Sequence, residues 1–359
     1  MSLWVWPDLA RGIPDEFRFT LGEGRTPLVR SRRIGPAAGL PHLYFKVESA
    51  NPTGSYKDRF AARAVAALML EGKQCCLATS SGNTGAALAA YCAVAGIPCE
   101  IAIVETAPTA KLAQMLAYGA RLTRVRGFGT NPEITRATME FLRERAAEPF
   151  VSLQISAYRY SPAGMAGVQS IAYELAEQLA GGPERVFSPS GGGGLTLAVA
   201  RGFQHLVGEG RLSRVPRIEC VQPDGNDTIA GPLRRGEGRA RSIPCTTRIS
   251  GLQVADVIDG DETLMACRAS GGTGHLVTDE ETWAVQARLA AEEAIFCEPA
   301  SAVAVAGALR ARAAGELDPH ERIVCLITSS GFKDIPSVER MVASVSCPLV
   351  SLEEFRSTA

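Results

Sequence analysis

No block of like charge interrupts this chain. Its 37 Lys and Arg and 38 Asp and Glu leave a formal net charge of −1, which argues against nucleic acid or an anionic membrane as a partner. Arginines such as Arg121, Arg124 and Arg126 read as solvated faces. No apolar stretch reaches the length of a membrane span. Met1 to Ala10 lack the basic start and apolar core of a signal peptide, so a cytoplasmic location is the expectation. The four histidines, His42, His205, His275 and His320, show no metal-ligand spacing. The ten cysteines contain no C-x-x-C pair, and they fall mostly inside apolar runs, as Cys99 and Cys325 do. That is the pattern of buried, reduced thiols, and no metal site is expected. Low-complexity linkers and internal repeats are absent too.

What is present is an alternation of strand-like and helix-like runs. Cys75–Ala78 precedes a helix to Ala95, with Gly96 placed to close it. Strand Cys99–Val104 precedes a helix Thr109–Tyr118 closed by Gly119, strand Arg121–Val125 precedes a helix Pro132–Ala147, and strand Phe150–Ile155 completes the series. A second series includes strands near Arg185–Phe187, Arg217–Val221 and Arg322–Thr328. Repeated βα pairing predicts an α/β fold with two open, mainly parallel sheets and helices on both faces. Gly231 to Arg241 reads as an exposed loop, and Gly271 to Gly274 as a turn or hinge.

Three strand-to-helix junctions carry chemistry, and ligands of such sheets bind at the carboxyl ends of strands. The first is Asn51-Pro52-Thr53-Gly54-Ser55-Tyr56-Lys57-Asp58-Arg59, after the alternating run Leu43 to Val47. It puts Lys57 in the first turn of a helix, where the dipole disfavours an ammonium group. A lysine that must act as a free amine towards an aldehyde gains from that place. The second is Thr79-Ser80-Ser81-Gly82-Asn83-Thr84-Gly85. The third, Ser190-Gly191-Gly192-Gly193-Gly194-Leu195-Thr196, exposes backbone N–H groups at a helix start with no Cβ to keep a phosphate away. Leu195-Thr196 is not the Lys-Ser/Thr pair of a P-loop, and no glycine stands at the sixth position of a dinucleotide fingerprint. A single phosphate monoester fits better. A lysine amine, one phosphate cradle and a polar Ser/Asn loop are what pyridoxal phosphate needs.

With these junctions the chain resembles the fold-type II pyridoxal-phosphate enzymes, tryptophan synthase beta-like in architecture, and within them the threonine synthases. The likeness also runs through Gly24-Arg25-Thr26-Pro27-Leu28, Gln169-Ser170-Ile171-Ala172-Tyr173-Glu174, Glu298-Pro299-Ala300-Ser301-Ala302 and Thr328-Ser329-Ser330-Gly331-Phe332-Lys333-Asp334. It implies a small lobe at 50–155, a large lobe of 1–49 with 156–359, the cofactor in the cleft between them, and a homodimer. It implies Lys57 as the Schiff-base lysine, Tyr56 near the cofactor ring and Asn83 on the ring oxygen. Gly191, Gly192, Gly193 and Gly194 take the phosphate, and Thr328 meets the pyridine nitrogen. Ser80, Ser81 and Thr84 meet the carboxylate of a small amino-acid substrate.

The family's substrate is O-phosphohomoserine, whose distal phosphate needs a second anion site. The family's Asn-Pro-Tyr-Arg reads Ser156-Ala157-Tyr158-Arg159 here, and Arg159 is the residue expected to bind that phosphate. Its Gly-Asn-Phe-Gly loop is replaced by Gly191 to Gly194, and its Thr-Gly-x-Gly by Thr328-Ser329-Ser330-Gly331. The expected activity is conversion of O-phosphohomoserine and water to threonine and phosphate. The alternatives are a threonine or serine dehydratase, a diamino-acid ammonia-lyase or a β-replacing synthase, and, against an intact Lys57, a binding protein without catalysis.

Overall fold

In a computed structural model, which describes residues 2–80, 82–107 and 109–358, the strands form two sheets. One has six strands: β1 (Leu28–Arg30), β2 (Leu43–Val47), β7 (Arg185–Pro189), β8 (Arg217–Pro223), β9 (Gly274–Val277) and β10 (Ile323–Ile327). Their order is β1-β2-β10-β7-β8-β9, parallel throughout except that β1 pairs antiparallel with β2. The other has β3 (Cys75–Ala78), β4 (Cys99–Ile103), β5 (Arg121–Arg124) and β6 (Val151–Gln154) in the order β5-β4-β3-β6, all parallel. A strand buried on both faces reads as an unbroken apolar run. That is why β10, Ile-Val-Cys-Leu-Ile, reads as a strand from sequence, while β2 shows as an alternating run; β2 and β3 fall on the expected residues.

Helices cover both sheets. Pro299–Ala313 is almost wholly buried and rich in Ala and Val, small enough to lie flat against β7, β9 and β10. Lys57–Leu70 packs on Pro162–Val168, where a Cβ on Gly167 would fall 2.1 Å from the Arg59 carbonyl oxygen. Gly96, in the left-handed conformation, ends the helix Asn83–Ala95 as expected.

Two expectations need correction. Gly271 to Gly274 is a turn only at Gly271, with φ +75°. Gly274 opens β9, and a Cβ there would sit 1.8 Å from the Ala230 carbonyl oxygen. The cluster admits a close backbone approach rather than a hinge. Within Gly231 to Arg241, the first part belongs to a short helix, Ala230–Arg234, whose Gly231, Pro232 and Leu233 are buried against the sheet.

Candidate active site

The segment after β2 is tied to the end of β10. Tyr56 N donates to the Thr328 carbonyl oxygen at 3.0 Å, and Ser330 N to the Gly54 carbonyl oxygen at 2.9 Å. Gly54, with φ +88°, permits the turn. Lys57 is thereby the first residue of the helix Lys57–Leu70, half-buried at the rim of a cleft of about 920 Å³. Its Nζ donates to Tyr56 Oη at 2.6 Å and to Ser156 Oγ at 2.7 Å. Ser156 Oγ lies 3.0 Å from Thr84 Oγ1. A primary amine is thus held by two hydroxyls, one of them backed by the Thr84 hydroxyl, with no carboxylate in an ion pair with it among the described residues.

The glycine loop forms the facing wall. It runs from β7 into the helix Gly194–Gly208, with Gly193 at φ +98° as its N-cap. Its carbonyl oxygens are engaged from outside. Gln222 Nε2 donates to those of Ser190 and Gly191, Asp259 N to that of Gly192, and Thr263 Oγ1 to that of Gly193. What the loop offers the cleft is therefore its N–H groups at the positive end of a helix. A side chain at Gly193 would collide with Thr263 Oγ1 at 2.3 Å.

The remaining expected residues fall as follows. Asn83 and Thr84 open the helix Asn83–Ala95 and line the cleft with Ser80. The Asn83 side chain does not cap its helix; its Nδ2 reaches Glu298 Oε1 at 3.2 Å. Thr328 follows β10, is buried, and has its Oγ1 3.0 Å from Ser301 Oγ. Ser81 lies outside the described residues. Arg159 is not brought to the cleft. Asp259 accepts hydrogen bonds from the Tyr158 and Arg159 amides at 2.7 and 3.2 Å, and the arginine side chain is left exposed, away from the cleft lining.

Sequence reasoning missed several cleft residues. Ser156, in the sequence only a departure from the family's motif, touches Lys57. Glu298 is buried in the wall, where burial pushes its carboxyl up to about 7 against the pull of Lys111 and Asn83. Lys111 and Lys333 also line the cleft. No local pattern separates Lys111 from a solvated helix face, and Glu298 and Lys333 stand in family-like stretches that gave them no role of their own. Away from the cleft, the sulfurs of Cys76, Cys92 and Cys99 lie within 4.8 Å of one another in the small-sheet core, which their spacing in the chain did not disclose.

Two stretches that carried the family likeness meet elsewhere, behind the Lys57 helix. Arg59 is fully buried; its Nε and Nη2 donate to Glu48 at 2.7 and 2.8 Å, and Nη2 to Glu174 Oε2 at 2.8 Å. Lys46 Nζ donates to Glu174 at 2.6 Å and to the Thr26 carbonyl oxygen at 2.8 Å. Thr26 and Glu174 come from those stretches, so they brace the lysine helix rather than touch the cleft.

The donor set fits pyridoxal phosphate: an amine, a glycine-lined helix start, an amide and a buried hydroxyl surround one cavity. A family model for pyridoxal-phosphate dependent enzymes matches residues 19–329. The threonine synthase of Methanocaldococcus jannaschii is 34% identical over 329 residues, which cover 90% of this chain and 78% of that protein. That of Mycobacterium leprae is 32% identical, covering 91% of this chain and 87% of its own length. Among solved structures, the processed form of threonine deaminase isoform 2 from Solanum lycopersicum aligns with a TM-score of 0.76 at 21% identity, covering 96% of this chain and 94% of that one. Maize serine racemase aligns at 0.75 with 23% identity, covering 94% and 96%. Those two likenesses carry the fold alone.

Proposed function

The chain belongs to the pyridoxal-phosphate-dependent enzymes, in the branch of the threonine synthases, and from that premise we propose that it converts O-phosphohomoserine and water to threonine and phosphate. The observation that carries this reading is the Lys57 amine, held by Tyr56 and Ser156 in a cleft faced by the N–H groups of Gly191 to Gly194. When bound, pyridoxal phosphate supplies an electron sink that stabilises negative charge next to the amino-acid α-carbon.

This chain's residues do the rest. Gly191 to Gly194 receive the cofactor's phosphate on a helix dipole. The Thr328 hydroxyl would hold the ring nitrogen, and unlike an aspartate it would not force that nitrogen to carry a proton. That tempers the sink and suits elimination and replacement over transamination. Asn83 donates to the ring oxygen, its amide oriented by Glu298. Ser80, Ser81 and Thr84 take the substrate carboxylate. Lys57 Nζ moves protons at the α- and β-carbons, and the Ser156 and Tyr56 hydroxyls keep it on station. The cytoplasm and a homodimer remain part of this reading. Ten unpaired thiols fit a reducing compartment, and the exposed Val345, Leu349 and Leu352 near the C-terminus offer apolar surface to a second copy.

The test is a substrate panel assayed for phosphate, ammonia and oxoacid. Phosphate and threonine from O-phosphohomoserine support the reading. Ammonia from serine, threonine or a diamino acid, with no phosphate release, assigns the chain to the dehydratase alternative.

A further inference from the structure

A phosphorylated substrate needs a cation at its far end, and Arg159 is exposed outside the cleft. Two other cations are inside it. Lys111, on the helix Thr109–Ala117, donates to Ser250 Oγ, and Lys333, beyond β10, donates to Gln114 Oε1. Both share the cavity with Lys57 and Thr84. Among the described residues neither lysine is in an ion pair; each is held by a neutral oxygen that an anion can displace. These two ammonium groups have no hydrogen-bonded carboxylate among the described residues and share a partly desolvated wall with one acid, Glu298, whose carboxyl burial pushes towards neutrality, so the site is short of negative charge.

The surroundings agree. Burial pulls Lys333 below the usual lysine range, while Asp58 and Glu298 hold it up. A bound dianion acts in the same direction as those carboxylates and keeps the ammonium charged. A second cavity of about 340 Å³ shares Lys111, Ser250 and Gln253 with the cleft and adds Arg248 and Arg340, with Asp334 the acid in its wall. Arg248 and Arg340 stack on Trp283, 4.5 and 4.1 Å from its ring centre. Glu280 pairs with Arg248 at 2.8 Å, so Arg340, in no ion pair among the described residues, is the charge that this approach adds to Lys111 for an anion.

We propose that Lys111 and Lys333 hold the distal phosphate of the substrate, so that selectivity for a γ-phosphorylated amino acid rests on them and not on Arg159. This rests on the threonine-synthase reading above. It is tested by calorimetry on the cofactor-loaded protein with a phosphonate isostere of O-phosphohomoserine, carbon replacing the bridging oxygen, and with the same amino acid lacking the phosphonate. Lys111→Gln and Lys333→Gln should each weaken phosphonate binding roughly tenfold to a hundredfold and leave the unphosphorylated ligand within about twofold. Arg159→Gln should change neither. Lys111→Arg, which keeps the charge, should recover most of the loss, separating lost charge from misfolding. If Arg159→Gln weakens the phosphonate and the lysine variants do not, while wild type still releases phosphate, this assignment falls and the function stands. If wild type prefers the phosphonate no more than its unphosphorylated counterpart and releases no phosphate, both fall.

Discussion

Lys57 and Arg59 stand two residues apart on one helix, yet their surroundings are opposite. Arg59 is enclosed by Glu48, Glu174, Ser170 and Thr26, with Lys46 on the far side of Glu174, so two cations and two anions close a neutral cluster. Burial alone would push Glu174 up, but Arg59 and Lys46 hold it down at about 2. On the cleft side, Lys57 meets hydroxyls only among the described residues, and burial pushes Glu298 in the cleft wall, like Asp58 in the core, up to about 7. The saturated side fixes where the helix begins. The unsaturated side keeps groups whose protonation can change, which is what proton transfer requires.

The largest effect should follow from breaking the cleft side at its centre. Lys57→Ala should lower phosphate release from O-phosphohomoserine by roughly four orders of magnitude, read by a coupled phosphate assay. Borohydride reduction of wild type followed by peptide mapping should put the pyridoxyl group on Lys57. A label on another lysine overturns the assignment. Unfolding of the apo-protein should be nearly unchanged by Lys57→Ala, because no buried ion pair is lost.

The saturated side should respond the other way. Arg59→Met leaves Glu48 and Glu174 buried without their shared cation and should cost about 3–5 kcal/mol in urea unfolding. Lys57→Met should cost far less by the same measurement. Equal losses would erase the distinction between the two faces.

The two sides should also differ in pH dependence. Glu298 and Asp58 have folded values raised above their unfolded ones, so their stabilising contribution is complete below about 4 and is lost as pH rises through about 7. Glu174 is depressed, so its contribution is present above about 4.5 and lost as pH falls towards about 2. Asn83, Lys111, Lys333 and Asp334 are the polar and charged groups that act on Glu298. Glu298→Gln should therefore flatten the fall in apo-protein stability between about pH 4.5 and 7, by on the order of 2–3 kcal/mol. An unchanged slope in thermal unfolding would show that Glu298 is not held neutral.

Why some of this was readable in advance follows from the kind of signal each residue carries. Lys57 and the glycine loop sit at strand-to-helix junctions, where apolar periodicity stops and glycine restarts it. Thr328 ends an unbroken apolar run. Those are local patterns. Arg159 lies outside the cleft lining because its loop is shaped by Asp259, a hundred residues away in the chain, through two amide hydrogen bonds that no local pattern reveals. Lys111, Lys333 and Glu298 come from three separate segments; Lys111 looks like ordinary surface charge on its helix, and Glu298 and Lys333 stand in family-like stretches that gave them no role of their own. The β9 strand hid inside a glycine cluster because its glycines answer to the Ile218 and Ala230 carbonyls rather than to a turn.

The smallest expected effect is at Thr328, and it tests whether the hydroxyl belongs to the cleft or to the strand end. Among the described residues Thr328 Oγ1 has one partner, Ser301 Oγ at 3.0 Å, and Ser301 Oγ also receives Ser329 N at 3.0 Å. Ser301 can therefore keep a backbone partner when Thr328 becomes Val, and the fold should lose little. If the hydroxyl also meets the ring nitrogen, Thr328→Val removes one hydrogen bond to the cofactor, about 1 kcal/mol, or roughly a fivefold rise in its dissociation constant. Cofactor titration followed by absorbance reads this directly. Thr328→Asp should do something a strand-end role cannot: a carboxylate against the ring nitrogen favours its protonated form and should raise abortive transamination, seen as oxoacid product. Wild-type affinity in the valine variant together with unchanged product partition in the aspartate variant would leave Thr328 as a structural strand end and return the ring nitrogen to an unassigned partner.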